Sequence, residues 1–305
     1  MRTERKECPN VQPHGVFNLN KPGGMTSREA VDRVQRILPR RTKVGHAGTL
    51  DPLASGVLVV CVGAATRLIE YVQKASKHYR ATFLLGRTSE TEDVEGEVTL
   101  LDDPPIPSRE RLLVATKSFL GEIQQRPPVF SALKLAGRRA YSLARSGEQV
   151  DLAPRPVTIH RLEVKAYDYP KLTLEIVCGS GTYVRSLGRD LAESLGTGAV
   201  MSSLVRLAVG DFRLEEAVVP EALRRGTLRD HLQPPLRAVL CLPRITLSAE
   251  ELVEIGHGRA FHPHASPPEG SELAALDAAG RLVAILAPYG ESLLRPQKNL
   301  PQGDR

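Results

Sequence analysis

One aspartate in the first fifth of the chain is the leading candidate for chemistry. Asp51 lies in the stretch GHAGTLDPLASGVL, residues 45–58, directly before a proline and with glycines on both sides. An aspartate followed by proline is also typical of a helix start, where the carboxylate accepts free backbone amides. Two interpretations are therefore open. Asp51 caps a helix, or a loop containing His46 and the glycines holds its carboxylate against a substrate.

Arg185 is a candidate partner for that carboxylate. It falls in the first turn of a predicted helix, where a cation opposes the helix dipole and is mildly unfavourable by itself. Such a placement indicates an acidic partner, and a carboxylate against the guanidinium would stay ionised and nucleophilic even in an apolar pocket. Spacing alone does not show that Asp51 and Arg185 meet, so a surface arginine is the alternative.

Tyr79 is a third candidate, because an aromatic ring beside basic residues can stack on a base while the cations hold phosphates. Its neighbours are Lys77, His78 and Arg80. The alternative is a core aromatic, since Tyr79 shares one face of an alternating segment with Ala81, Phe83 and Leu85.

Several other chemistries have no support in the sequence. It contains no GxxxxGK[ST], HExxH or GxSxG motif, and GHAGTL lacks the three spaced glycines of a dinucleotide fingerprint. The four cysteines are far apart and form no CxxC pair, which argues against a zinc site and a disulfide framework. We expect no metal and no nucleotide cofactor.

Composition and charge favour a polyanionic partner. The 305 residues carry a formal net charge of +6 and the pI is about 9.2. Basic residues concentrate in two segments, at 33–43 and 134–145, and a strongly acidic segment, 88–103, separates them. Each run alone is typical of a solvated face, but together they predict a surface with a nucleic-acid side and a solvent side. The first ten residues lack the apolar stretch of a secretory signal, and no apolar run reaches membrane-spanning length.

The apolar pattern predicts the elements that position these candidates. Strands are predicted over 77–86, 156–168, 171–178 and 199–213. Residues 15–24 are predicted to form a short strand that ends in a turn, and 56–63 a buried strand, for which periodicity leaves a helix as the alternative. Helices are predicted after a capping box at Thr26, over 64–75 and 108–119, from Tyr183 to Gly196 with Thr182 at the N-cap, and over most of 214–240. A proline-containing basic segment, 125–148, is polar enough to leave the core and includes a predicted helical stretch. Beyond a boundary near residue 240, a short helix and several small strands indicate a compact β-rich module.

Six colinear segments resemble the TruB family of bacterial tRNA pseudouridine-55 synthases. They are KPGGMTS (21–27), GHAGTLDPLASGVL (45–58), KHYRATFLLG (77–86), RPPVFSALKLAGRRAY (126–141), GTYVRSL (181–187) and SLVRLAVG (203–210). The second is highly specific, and the others are weaker alone. Residues 243–298 resemble, more loosely, the PUA domain, a small RNA-binding barrel.

The resemblance implies an α+β pseudouridine-synthase fold, with a mixed, largely antiparallel central sheet flanked by helices and a small C-terminal PUA-like barrel. It implies a catalytic domain at 1–240, with a thumb-like loop at about 125–150 that clasps the tRNA T-arm, and an RNA-binding domain at 241–305. Asp51 matches the catalytic position, and the matching substrate-binding positions are His46, Tyr79, Tyr183, Arg185, Leu204, Lys21 and Lys134.

The implied reaction is cofactor-free isomerisation of a flipped uridine, U55 of the T-arm, in a cytoplasmic enzyme. One essential carboxylate distinguishes it from ordinary glycoside hydrolysis, which generally uses two. We expect a monomer with tRNA as partner, no membrane association and no obligatory protein partner. Two alternatives stay open: a guide-RNA-dependent enzyme of the dyskerin type, and a non-catalytic tRNA-binding or tRNA-folding protein.

Overall fold

The computed structural model describes residues 13–130, 134–135, 138–139, 152–267 and 272–300. Its strands are β1 (Gly15–Lys21), β2 (Val44–His46), β3 (Ser55–Val62), β4 (Lys77–Leu85), β5 (Arg87–Thr88), β6 (Thr99–Leu100), β7 (Gly121–Gln125), β8 (Lys134–Leu135), β9 (Arg138–Arg139), β10 (Arg155–Asp168), β11 (Lys171–Cys178), β12 (Ala199–Val209), β13 (Phe212–Arg213), β14 (Arg244–Thr246), β15 (Leu273–Leu276), β16 (Leu282–Tyr289) and β17 (Leu293–Asn299). Its α-helices are α1 (Ser27–Ile37), α2 (Ile69–Lys74), α3 (Arg109–Ser118), α4 (Val184–Ser194), α5 (Leu228–His231) and α6 (Ala249–Gly256).

A nine-stranded sheet forms the centre of the molecule. Its order is β1-β3-β12-β4-β11-β10-β7, with β2 paired to β3 and β13 paired to β12. All of these pairings are antiparallel except the one between β3 and β12. The predicted fold class, a mixed and largely antiparallel sheet with helices and a small C-terminal sheet, is confirmed.

Local sequence explains the elements around the sheet. Residues of β4 are alternately buried and more exposed, so Tyr79, Ala81, Phe83 and Leu85 share the buried face as predicted. The predicted capping box at the start of α1 is present, with the Thr26 side chain accepting from the Glu29 amide. Both patterns arise from near neighbours along the chain.

Two glycines allow the close packing that brings the site together. Gly56 has a φ of 103°, and an added Cβ would lie 2.2 Å from the Arg206 carbonyl oxygen, so only glycine allows β3 to approach β12 here. A Cβ at Gly188 would lie 2.0 Å from the Phe83 ring, so this residue lets α4 pack directly on β4. The segments containing Asp51 and Arg185 therefore converge on the same strands.

Two local predictions are wrong. The segment 214–240 contains only the short helix α5 and the 3-10 turns Leu214–Glu216, Pro220–Ala222, Arg225–Thr227 and Pro235–Val239. Its prolines lack an amide donor and disfavour helical geometry in the preceding residue, which prevents a long helix. Tyr183, rather than Thr182, is the N-cap of α4, because the Thr182 hydroxyl donates to the Gly179 carbonyl, 3.2 Å away.

The C-terminal strands form a separate four-stranded sheet, in the order β14-β15-β16-β17. One face packs against the central sheet, since Ala274, Leu282 and Ile285 share a hydrophobic cluster with Val57 and Val59. Of the predicted excursion at 125–148, β8 and β9 form a hairpin, and the predicted basic helix lies mainly outside the described residues. No helix in the described ranges is long and apolar enough to cross a membrane.

Candidate active site

The loop that carries Asp51 connects β2 to β3 and is fixed from several sides. The Ser27 hydroxyl donates to the Leu50 carbonyl at 3.0 Å and accepts from the Leu50 amide at 2.8 Å. The Asp51 carbonyl accepts from the Ala54 amide at 3.1 Å, which closes a turn, and the chain then enters β3. Because no helix follows Asp51, the helix-cap interpretation is wrong, and the carboxylate is available for other contacts.

Arg206, on β12, also holds the Asp51 loop in place. Its side chain is buried, and its guanidinium donates to the carbonyls of Val57 at 2.7 Å, Gly48 at 3.1 Å and Thr49 at 3.3 Å. We did not select Arg206 from the sequence. A signal was present, because Arg206 follows the buried residue Leu204 at the two-residue period of a strand face, where a charge requires partners.

Asp51 and Arg185 meet. The Arg185 Nη2 atom lies 3.1 Å from the Asp51 Oδ2 atom, and the Arg185 side chain is only 8% exposed, whereas that of Asp51 is 36% exposed. A buried cation beneath a partly exposed carboxylate leaves one face of Asp51 open to the pocket. The first turn of α4 thus accommodates an unfavourable cation because an acidic partner is present.

Arg185 has further acceptors that fix its position. It donates to the carbonyls of Thr91 at 2.6 Å and Phe130 at 3.1 Å, and its Nη1 atom lies 3.5 Å from the Asp93 Oδ2 atom. With both ends of the guanidinium bonded, it has little freedom to swing away from Asp51. Charge-assisted bonds of this kind are stronger than neutral ones and orient their partners.

The acidic segment that contains Asp93 corrects part of the charge prediction. Glu92 and Asp93 are buried rather than solvated. Glu92 pairs with Arg189 and accepts from the Ser186 hydroxyl at 2.7 Å, while burial raises its pKa against the effect of Arg189. These two carboxylates therefore anchor the segment to α4, and a run of like charges in the sequence concealed that role.

A pocket of about 340 Å³ opens beside the Asp51 carboxylate. This volume is near the lower end of the range for small-molecule sites. Its lining residues include Asp51, Tyr79, Tyr183, Arg185 and Leu204, which come from four different parts of the chain. Tyr79 is both a buried strand residue and a pocket wall, so the two interpretations of this residue are compatible. Burial raises the pKa of its hydroxyl.

Besides Arg206, two basic lining residues were not selected from the sequence as site residues. Lys77 is buried and its ammonium donates to the Gln73 carbonyl, and burial lowers its pKa to about 8. Arg155 lies with its guanidinium carbon 5.1 Å from the centre of the Tyr183 ring and donates to the Gly181 carbonyl at 2.7 Å. Both add positive charge to the pocket, which suits an anionic substrate.

Among the described residues, two predicted substrate-binding residues, Lys21 and His46, do not line the pocket. The Lys21 side chain is fully buried, and its ammonium donates to the carbonyls of Met25 at 2.6 Å and Pro22 at 2.9 Å. Burial lowers its pKa to about 8, although Asp51 opposes that shift. His46, on β2, has a buried Nδ1 with no hydrogen-bond partner among the described residues, and burial lowers its pKa. Lys134 is in β8, and its side chain is outside the described part of the chain.

A larger cavity, about 690 Å³, lies between Arg67 and the C-terminal sheet. Its carboxylate, Asp277, is already paired with Arg281 at 2.7 Å. Within the described residues, no group of three or more His, Cys, Asp or Glu side chains comes together as a metal site would require. The Asp51 pocket is therefore the better candidate for chemistry.

The mixed sheet and the pocket with its arginine-backed aspartate define an α+β protein with one acidic active-site candidate, and comparison with known proteins gives its family. The model of the TruB family pseudouridylate synthase N-terminal domain matches residues 35–184. The tRNA pseudouridine synthase B of Ralstonia nicotianae is 40% identical over 97% of this chain and 97% of its own length. The corresponding protein of Dehalococcoides mccartyi is 40% identical over 93% of this chain and 95% of its own length.

Solved structures share this fold. An H/ACA ribonucleoprotein bound to a substrate RNA containing 2'-deoxyuridine matches with a TM-score of 0.72 at 24% identity, covering 99% of this chain and 93% of that one. A Cbf5-Nop10-Gar1 complex matches with a TM-score of 0.69 at 27% identity, covering 95% and 86%. The chain belongs to the TruB family of pseudouridylate synthases, which are isomerases.

Proposed function

We propose that the chain converts U55 in the T-arm of tRNA to pseudouridine, with Asp51 as the reacting carboxylate and no cofactor. The observation that carries this proposal is the Asp51 carboxylate, open on one side to the pocket and held on the other by Arg185 at 3.1 Å. The relatives named tRNA pseudouridine synthase B, about 40% identical over nearly their whole length, support tRNA as substrate.

The target base must leave its stack before the enzyme can reach it. Tyr79 offers a flat, buried face for stacking, and Tyr183 and Leu204 complete the walls of the pocket. Arg155, over the Tyr183 ring, places a cation where a phosphate of the flipped nucleotide would pass. Contacts between the extruded uridine and these side chains then offset the free-energy cost of unstacking the base.

The reaction breaks the bond from the ribose C1' atom to uracil N1 and forms a bond from C1' to uracil C5. The C5 proton is released and N1 ends protonated, so no atom is gained or lost. Asp51 can enter by attacking the ring, by attacking the sugar or by removing a proton, and the proposal holds for each route. Arg185, 3.1 Å from the Asp51 Oδ2 atom, orients the carboxylate that all three routes use.

Two predicted substrate contacts are assigned different tasks here. Lys21 spends its donors on Met25 and Pro22, at the turn before α1, so we assign it to positioning the active-site loops. His46 lies on the strand that leads into the Asp51 loop, and we assign it to contacts with the RNA beside the flipped base.

We further propose a catalytic domain at 1–240 and a PUA-like RNA-binding domain at 241–305, with residues 125–150 clasping the T-arm.

The cytoplasm is the proposed location. A tRNA substrate supports it, and so do the free thiols of Cys61, Cys178 and Cys241.

Mapping of pseudouridine in an unmodified tRNA transcript incubated with the purified chain tests the proposed function. The proposal predicts one new pseudouridine, at position 55, with no added cofactor. The same experiment on an isolated T-arm hairpin, without guide RNA or partner protein, separates this function from the dyskerin-type alternative, which predicts no product. Binding without any product would instead support the non-catalytic alternative.

A further inference from the structure

A compact group of arginines lies at the C-terminal end of α1, away from the Asp51 pocket. A surface cavity of about 670 Å³ is lined by Gln35, Arg36, Leu38, Arg40, Arg41 and Arg225. Four of these six residues are arginines, all exposed, and none is acidic. Arg225 comes from a 3-10 turn that is distant in sequence, so folding assembles a group that the sequence shows only in part. We call these four residues the α1 arginine surface.

These guanidiniums have no acidic partner in the part of the chain that the structure describes. Arg33, one turn earlier on α1, forms an ion pair with Glu221, which shows that neighbouring positive charge is neutralised where a carboxylate is present. In the described ranges, the α1 arginine surface takes part in no ion pair or hydrogen bond through its side chains. Like charges so close together repel one another, and a polyanion would relieve that repulsion.

Helix α1 links this surface to the active site. Its first residue, Ser27, bonds to Leu50 beside Asp51, and its last residue, Ile37, adjoins the arginines. Ten residues of α-helical rise separate the two ends by about 15 Å. Each strand of B-form DNA has a phosphate about every 3.4 Å along its axis, and the stems of tRNA are A-form with a smaller rise, so this distance corresponds to roughly four or more nucleotides.

We propose that the α1 arginine surface binds phosphodiester groups of the tRNA several nucleotides away from the flipped uridine. This inference rests on the proposed function, since it takes the tRNA as the polyanion. Arginine suits the task because its planar guanidinium bonds phosphate oxygens in pairs. The contact supplies affinity and orientation, while Asp51 and Arg185 supply the chemistry.

The test is the triple variant Arg36→Gln, Arg40→Gln and Arg225→Gln, which keeps a polar side chain at each position and removes three charges. Arg41 is left unchanged because its φ of 67° is a backbone conformation that few residues adopt easily. The matched control removes three exposed charges from α3, which packs against β10 near the other edge of the sheet: Arg109→Gln, Arg111→Gln and Lys117→Gln.

Binding of an unmodified tRNA transcript is measured across KCl concentrations, together with the single-turnover rate at saturating enzyme. The logarithm of the tRNA association constant falls as the logarithm of the salt concentration rises, and each lost phosphate contact makes that slope less negative by about 0.9. The slope of the triple variant should therefore be less negative by about 2 to 3. Its Kd near 0.1 M salt should rise more than about tenfold, with an unchanged saturating rate.

A Kd and slope equal to those of the unmodified protein would overturn the inference, as would an equal loss in the α3 control. These outcomes are separable from failure of the proposed function, which appears as the absence of pseudouridine with the unmodified protein on the same tRNA.

Discussion

Replacement of Arg185 by methionine removes the cation that Asp51 and Asp93 share. The Asp93 side chain is only 4% exposed, so the variant leaves a carboxylate buried without a positive partner. Breaking a buried ion pair in this way generally costs about 3 to 5 kcal/mol of unfolding free energy. Asp93 keeps two donors, the Thr91 hydroxyl at 2.6 Å and the Glu95 amide at 3.1 Å, which places the expected loss near the lower end, about 3 kcal/mol.

The same substitution removes the group that orients Asp51. Losing one preorganised donor at a reacting centre costs about 10²- to 10³-fold in rate. We therefore expect the single-turnover rate of Arg185→Met at saturating tRNA to fall by about that factor. Arg185→Lys keeps the charge but cannot bond Asp51, Thr91 and Phe130 from one planar group, so it should recover stability better than rate.

Urea denaturation of the single variants and of Arg185→Met combined with Asp93→Asn tests the stability argument. The double variant should lose less than the sum of the two single losses, because the neutral amide no longer needs a cation. Arg161→Met is the control: Arg161 is 45% exposed and also pairs with a carboxylate, Glu175, and its loss should cost less than about 1 kcal/mol. Loss of less than 1 kcal/mol in Arg185→Met, or a rate within tenfold of the unmodified protein, would refute the reasoning.

Three further predictions concern the surroundings of Asp51. Arg206→Met frees the loop at its carbonyl contacts and should lower the single-turnover rate about 100-fold; a rate within threefold would contradict this. Gly56→Ala should lower the free energy of unfolding, measured by urea denaturation, by more than about 3 kcal/mol, because the added Cβ would lie 2.2 Å from a backbone atom. Gly226→Ala, where the added Cβ would have open space around it, should show no such loss. Lys77 has a pKa lowered to about 8 in the folded chain. The unfolded chain therefore binds more protons than the folded chain between pH 8 and the ordinary lysine pKa of 10.5. Lys77 thus makes the free energy of unfolding increase with pH over this range. Urea titrations should show a smaller rise for Lys77→Met, and identical profiles would contradict the assigned burial.

Sequence periodicity predicted most strands of the central sheet, although not β2 and β7, and the start of α1, because those features depend on near neighbours. Arg185 could also be predicted from the sequence, since a cation in the first turn of a helix is locally unfavourable and indicates a partner. The sequence could not decide whether Asp51 is a helix cap or a catalytic residue, because that depends on Ser27 and Arg206, which contact the loop from distant elements.

The missed residues share one physical cause. Arg206 and Asp93 are charged, and a charge in a sequence usually indicates solvent, yet both are buried among specific partners. The partners of Asp93 lie far along the chain or in a loop, so no helix or strand periodicity in the sequence predicts these contacts. The α1 arginine surface also depends on folding, since Arg225 joins Arg36 and Arg40 only in three dimensions.

Asp51→Asn tests the central claim most directly, with Asp32→Asn as control because Asp32 is a surface carboxylate that also pairs with an arginine. Tritium release from tRNA labelled at uracil C5 measures the isomerisation, and filter binding measures affinity for the same tRNA. We expect no tritium release above background from Asp51→Asn, normal release from Asp32→Asn, and tRNA binding by both. Substantial release from Asp51→Asn would contradict the claim that its carboxylate carries the reaction.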